Sequence, residues 1–506
     1  MMRRASLLIA MTTGIMLSIP QPSLYSQEAS QEAATSDPGV MAMRAELKRR
    51  LLPLIRIREN ALGPASRIGV AVFDPRSGEM VFESGGNESF AAASNAKIIT
   101  TAAALDLLGP AFHFRTELLG RVPDANGVIA GDLYLRGRGN PGFDDRDMVQ
   151  MVRRLKAQGV TRIAGSIIVD NSYFDEQNLP PHFDEQPEEQ AGFRAPIAAT
   201  SFNFNAWTVI ARPALSGTGP ARIEVTPPSS YIKVSSTLST VSTGRTALRL
   251  KIRESAKYLH VDIGGQIQQH VHKRRFRKRA PDPVQFVGGG LLRVLADFGI
   301  AVRNKNIRTG QAPDPTPVLA IHESPPLATM IRGMGKYSNN FVAELLLKVI
   351  GAETRAAGEP ATWQHGQEAV RDFLGRVGLS PNSYRYDNGS GLFDSNYFSP
   401  IQIVQVLRYA LRNPRWGPDF FSSLSISATD GTMRKRLADT AAARRIRAKT
   451  GTLAHASALS GIAAVDGTRP HLFSILVNDF AESEIGIARG FQNDVAVQLI
   501  EALGGR

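Results

Sequence analysis

The hydrophobic pattern of the chain changes character twice, and these changes limit its architecture more than any other feature. Residues 67–74 and 79–83 read as two strands joined by a turn at 75–78. Residues 94–108 read as a helix rich in Ala, Leu and Ile, stopped by Gly109-Pro110. From about 118 to 310 short alternating runs take over, at 131–135, 162–169, 221–225, 248–252 and 259–263. Helical spacing then returns at 327–334, 341–349 and 364–377. Three strands follow near 445–452, 458–465 and 471–477, and 484–503 reads as a last helix. The expected fold class is α/β (α+β), an antiparallel sheet with flanking helices. Residues 41–117 and 311–506 would form one discontinuous domain whose sheet pairs the first strands with the last. A mostly β two-domain insertion at 118–310 would interrupt it. With 506 residues the chain exceeds one ordinary core, and a 43% hydrophobic share is enough to pack several.

The two ends of the charge scale are informative in different degrees. Lys and Arg number 59 against 46 Asp and Glu, a net +13 that suits polyanionic surroundings without choosing among them. At the N-terminus, Arg3 and Arg4 precede an apolar run at 5–19, broken by Pro20 and Pro22, with small residues at Ser23 and Ser26. This is the pattern of a secretory leader over 1–26, too short to span a bilayer comfortably, followed by a polar linker over 27–40. No later stretch reaches the roughly 18 uncharged apolar residues of a membrane span. The mature protein is therefore expected to be periplasmic and without a stable span, peripheral association being left open. Cysteine is absent, which excludes thiol catalysis, thiolate metal sites and disulfides.

Three short motifs stand in an order that carries chemistry. Ser94-Asn95-Ala96-Lys97 opens a helix, Ser338-Asn339-Asn340 sits just before one, and Lys449-Thr450-Gly451-Thr452 lies in a strand. Ser-x-x-Lys, Ser-x-Asn and Lys-Thr-Gly form a serine acyl-enzyme signature. Residues three apart on a helix share a face, so the Lys97 amine can reach the Ser94 hydroxyl. A serine hydroxyl is a weak nucleophile until a base takes its proton. Lysine is such a base only when its pKa falls, and a second cation, Lys449, is a candidate cause. Ser94 at a helix N-terminus also has free backbone N–H groups beside it, suited to a developing oxyanion. Taken singly each motif is weak: an i, i+3 pair, an N-cap cluster, a strand edge. Their order and setting make the set specific.

These motifs and their surroundings resemble the low-molecular-mass class C penicillin-binding proteins, the D-Ala-D-Ala carboxypeptidases of peptidase family S13. The resemblance extends to the stretches at 324–327 (Ser-Pro-Pro-Leu), 338–346, 387–392 (Asp-Asn-Gly-Ser-Gly-Leu), 430–433 (Asp-Gly-Thr-Met), 447–453, 457–461 and 200–205, and covers roughly residues 45 to 500. It implies a penicilloyl-serine-transferase domain interrupted between the first two motifs, which stand 244 positions apart. It implies a D-Ala-D-Ala carboxypeptidase or DD-endopeptidase acting on peptidoglycan stem peptides, inhibited by β-lactams and using no cofactor or metal. By the same resemblance Ser94 is acylated and Lys97 is the base. Ser338 relays a proton to the leaving D-Ala nitrogen, and Asn340 holds the substrate amide. Lys449 and Thr450 engage the terminal carboxylate, within the substrate-binding run Lys449, Thr450, Gly451 and Thr452. The backbone N–H groups of Ser94 and Thr452 form the oxyanion hole. A β-lactamase or esterase using the same Ser-Lys pair is the alternative, separable by the lifetime of a penicilloyl adduct. A catalytically idle scaffold is a second.

Departures from the family pattern are Asn339, where Asp is frequent, His455 after the last motif, and Asn140 in a Gly-Asp-Pro-like stretch. Other features point elsewhere only weakly. Gly137, Gly139 and Gly142 match a dinucleotide fingerprint, but Pro141 and the acidic Asp144-Asp145 argue for a plain turn. The run 273–279 holds six cations in seven residues and reads as a solvated loop rather than a nucleic-acid surface. The nine histidines show no metal-ligand spacing, and Ser390 reads as part of a tight turn near the cleft.

Overall fold

Alternation along the first strand decides how the molecule is layered. In β1 (Arg67–Asp74), Ile68, Val70 and Val72 point into one hydrophobic cluster, while Ala71 and Phe73 point into another. A strand with both faces apolar needs cover on both sides. One face is covered by helices α1 (Pro38–Leu62) and α7 (Ile485–Ala502), which pack on each other. The other carries α2 (Ala96–Leu108), α3 (Leu327–Tyr337), α4 (Asn340–Thr354), α5 (Trp363–Val377) and α6 (Pro400–Arg412). The computed structural model describes residues 37–356, 358–465 and 470–504. The expected leader and residues 27–36 of the expected linker lie outside them. Residues 38–40 of that linker are instead the first turn of α1, with Asp37 as N-cap accepting from Gly39 N–H at 2.8 Å.

The sheet has six strands: β1, β2 (Glu79–Ser84), β3 (Ser425–Ile426), β4 (Ile446–Leu453), β5 (Ala456–Ala463) and β6 (His471–Asn478). Their spatial order is β2-β1-β6-β5-β4-β3, every neighbour antiparallel. The first strands thus pair with the last, Val70 standing opposite Ile475. Between α2 and α3 the chain builds a separate hydrophobic cluster around Trp207, Phe202, Phe286 and Val261. Most of its elements are short strands, with helices at Asp145–Ala157 and Pro283–Asp297. One of its sheets draws in Arg115–Leu119 and Val318–Glu323, which pair with each other where the chain leaves and re-enters the main sheet's neighbourhood.

Two expectations about this middle region meet different outcomes. The glycine-rich stretch at 137–142 is a turn, and the helix after it has its N-terminus closed by Asp144, which accepts from Arg146 and Asp147 N–H while Asp147 reaches back. Carboxylates at that end leave no seat for a pyrophosphate. The basic run was expected as a solvated loop. It is instead an edge strand, Arg274–Arg279, paired with Ala206–Arg212. Edge strands tolerate, and are protected by, such charge, which is why a charge count misreads one as a loop. No helix among the described residues is long and apolar enough to cross a membrane.

Candidate active site

The nucleophile candidate sits on a bent entry into α2. Residues Ala93–Asn95 form a short 3-10 turn that runs into the helix, and Ala93 holds φ at +46°, a conformation that favours glycine. The bend is held from two sides. Gly391 lies so close that a Cβ there would stand 1.9 Å from the Ala93 carbonyl oxygen. Gly451 of β4 presses from the other side, where a Cβ would come within 3.0 Å of the Ala93 side chain. Close approach of backbone thus requires a glycine at 391, and at 451 any larger residue would press on the Ala93 and Ala458 side chains. Ser94 itself is half-buried, its hydroxyl turned toward Lys97.

One helical turn on, the Lys97 ammonium is enclosed. Its Nζ donates to Ser94 Oγ at 2.9 Å, to Asn340 Oδ1 at 2.8 Å and to the Ser390 carbonyl at 2.7 Å. Burial lowers its pKa to about 7, against the opposing charge of Glu344. Desolvation is the leading cause at this lysine. The second cation, Lys449, is pushed well below the ordinary lysine range by burial first and by Lys97 second. Lys449 Nζ donates to Ser338 Oγ at 2.9 Å and to the Thr450 carbonyl at 2.7 Å.

The middle motif is a helix-to-helix junction. Ser338 ends α3 in the left-handed region, with φ 56° and ψ 42°. Asn339 then caps α4, its Oδ1 accepting from Val342 N–H at 3.3 Å. That duty needs a side-chain oxygen and no charge, so Asn and Asp are nearly interchangeable there. The junction leaves Ser338 facing Lys449 and Asn340 facing Lys97. Ser94, Lys97, Ser338, Asn340 and Lys449 are therefore joined in two bonded groups, one on each lysine. The side chains of Thr450 and Thr452 stand apart from both. The Thr450 hydroxyl donates to Thr432 Oγ1 at 2.8 Å, and exposed Thr452 receives Arg489 Nη2 at 3.2 Å.

Sequence reasoning assigned no part to Glu344, Ser390 and Thr432. Glu344 is fully buried one turn along α4 from Asn340. Its carboxylate accepts from Gly389 N–H at 3.0 Å and Ser390 N–H at 2.8 Å. Holding both amides turns the Ser390 carbonyl onto Lys97. The signal was in the sequence: a lone acid inside an otherwise apolar helical run is seldom left unpaired. Ser390 contributes its backbone, which no side-chain motif can report. Thr432 aligns Thr450 from a turn closed by Asp430, which binds Lys336 at 2.5 Å and accepts from Ile426 N–H at 2.8 Å.

Comparison with known proteins bears on the family of the chain. The family model for the D-Ala-D-Ala carboxypeptidase 3 (S13) family matches residues 56–493. A D-alanyl-D-alanine carboxypeptidase from an Actinomadura strain is 30% identical over 451 residues, 86% of this chain and 81% of that one. The D-alanyl-D-alanine carboxypeptidase DacB of Haemophilus influenzae is 23% identical over 79% of this chain and 83% of its own. The crystal structure of penicillin-binding protein 4 from Haemophilus influenzae superposes with a TM-score of 0.72 at 21% identity, covering 87% of this chain and 99% of that one. A match running from α1 to α7 and spanning all three motifs leaves one assignment: the chain belongs to the D-Ala-D-Ala carboxypeptidase 3 (S13) family.

Proposed function

We propose that the chain is a serine-type D-Ala-D-Ala carboxypeptidase and DD-endopeptidase that works on peptidoglycan stem peptides through an acyl-enzyme at Ser94. The observation that carries this reading is the Lys97 amine, fully enclosed, 2.9 Å from the Ser94 hydroxyl and lowered to about 7. Such an amine is neutral in a large share of molecules near neutral pH and takes the serine proton as the oxygen attacks the carbonyl. The tetrahedral oxyanion is received by the backbone N–H groups of Ser94 and Thr452. Ser338, bonded to Lys449, relays a proton to the departing D-Ala nitrogen, the proton that Lys97 took from Ser94 replacing it, so that Lys97 is neutral again. Asn340 orients the substrate amide while its own oxygen holds Lys97. Water then cleaves the ester with Lys97 again as base.

Lys449 and Thr450 engage the substrate's terminal carboxylate. In the free site burial, with the Lys97 charge beside it, weakens the hold of Lys449 on its proton. An arriving anion reverses that effect, so the charge pair forms with the substrate. The proposed partners are stem peptides and β-lactams, and the proposed place of action is the periplasm, reached by a leader over 1–26. We assign the catalytic domain to 41–117 and 311–506 and the inserted domains to 118–310, with the strands Arg115–Leu119 and Val318–Glu323 at the seam completing a sheet of the insertion. Incubation with a labelled penicillin followed by peptide mapping tests the reading. The adduct is expected on the Ser94 peptide; a label on Ser390, or none, overturns it.

A further inference from the structure

The inserted region contains a cleft of about 990 Å³ between the Pro283–Asp297 helix and the strand that begins at Ile232. Its walls hold five cations, Lys233, Lys257, Arg293, Lys305 and Arg308, and no carboxylate. Arg293 pairs with Asp297, and Arg308 approaches Asp132 at 3.5 Å. Lys233, Lys257 and Lys305 form no ion pair among the described residues and are exposed, Lys233 lying 4.8 Å over the ring of Tyr258. Beneath them the floor is apolar, made by Leu292, Ile300 and Ile307. Uncompensated like charge around a concavity repels itself and raises the local concentration of anions. A mainly apolar pocket with a few charged groups at its edge binds ligands that offer both kinds of surface.

We propose that this cleft is a second, non-catalytic binding site for the peptidoglycan polymer, the lysines taking carboxylates of its stem peptides and the Tyr258 ring and apolar floor taking the flat faces of its sugars. A bare polyphosphate would use the cations and leave the apolar floor in water. The peptidoglycan strand matches both parts, and it is already the substrate that the Ser94 reading, on which this proposal rests, requires. A site of this kind keeps the enzyme on an insoluble substrate between turnovers, as a linked second contact does.

The test is co-sedimentation of the full chain, in a Ser94→Ala background, with purified insoluble sacculi. Reversing three charges (Lys233→Glu, Lys257→Glu, Lys305→Glu) is expected to weaken pelleting roughly tenfold or more, with salt doing the same to the parent. With Ser94 intact, the triple variant is expected to be acylated by penicillin at the parental rate. Should reversal disturb folding, the three Lys→Gln changes are expected to weaken pelleting in the same direction. Sacculi stripped of stem peptides are expected to lose most binding. Unchanged pelleting by folded variants, undiminished binding to stripped sacculi, or equal binding to phosphatidylglycerol vesicles would each overturn the proposal. A failure of the catalytic reading shows elsewhere, as absence of penicillin acylation at Ser94 in the parent chain.

Discussion

The two regions of this molecule use the same residue type in opposite ways. Around Ser94 the cations are enclosed: Lys97 and Lys449 are each about 1% exposed and every bond they make is to a group of the site. In the insertion the cations around the cleft are exposed, and three of them form no ion pair among the described residues. A lysine cut off from water loses preference for its proton and becomes a base or a charge waiting for an anion. One left in water keeps its hydration and acts through its field. Lys348 is enclosed as well, but it is paired with an acid. It lies on α4 with no side-chain exposure, is bonded to Asp175 and to the Gln177 carbonyl, and has the Phe174 and Trp363 rings 5.3 and 4.9 Å away. It fastens the inserted region to the helix that carries Asn340.

Breaking the enclosed side of this contrast should have the largest effect. Lys97→Ala is expected to slow acylation by penicillin by several powers of ten without unfolding the chain, measured by stopped-flow acylation and a thermal melt. In the parent the neutral amine is the active form, so acylation should fall as pH drops through about 7. A flat profile across that range would put Lys97 outside the proton transfer. Next in size is Lys449→Ala. On peptides ending in D-Ala-D-Ala, kcat/KM should drop on the order of a hundredfold. A thioester with its terminal carboxylate masked should lose much less, and equal losses would remove the carboxylate-anchor role.

Glu344→Gln sharpens the contrast, because Glu344 is the charge that partly opposes burial at Lys97. With that charge gone the Lys97 pKa falls further, so the acid limb of the acylation profile should move to lower pH. Gln also offers one oxygen to two amides, and the orphaned N–H should cost about 1–3 kcal/mol of stability. A denaturant melt with an unmoved limb would make Glu344 purely structural. The smallest effect is expected at Asn339. Losing the cap through Asn339→Ala should cost about 1 kcal/mol, and Asn339→Asp almost nothing, with acylation kept in both. A large kinetic loss in Asn339→Asp would show that the side chain does more than cap α4.

Much of this was legible in the sequence because the chemistry needs side chains at fixed spacing. Ser94 and Lys97 had to share a helix face, and the first strands needed distant partners because an apolar strand cannot stand uncovered. What the sequence could not report was geometry made by backbone. The Ser390 carbonyl on Lys97 depends on a turn that Glu344 holds from another helix. The cause of the Lys97 shift depends on enclosure, which follows from packing rather than from charge count. At 274–279 an edge strand was read as a loop because arginine-rich alternation carries no apolar face to reveal it.

The antiparallel seam between β1 and β6 has a consequence for when this protein becomes active. Ala91 N–H, three residues before the nucleophile, donates to Asn478 Oδ1 at 2.6 Å across 387 positions of chain. Part of the support beside Ser94 is therefore supplied by residues made long after it. A polypeptide emerging N-terminus first carries its serine early but has neither β4 nor β6 to complete the cleft. Loops this long close late because their entropy must be met before their contacts form. Synthesis order alone thus keeps the hydrolase silent until the strands from β4 to β6 have been delivered.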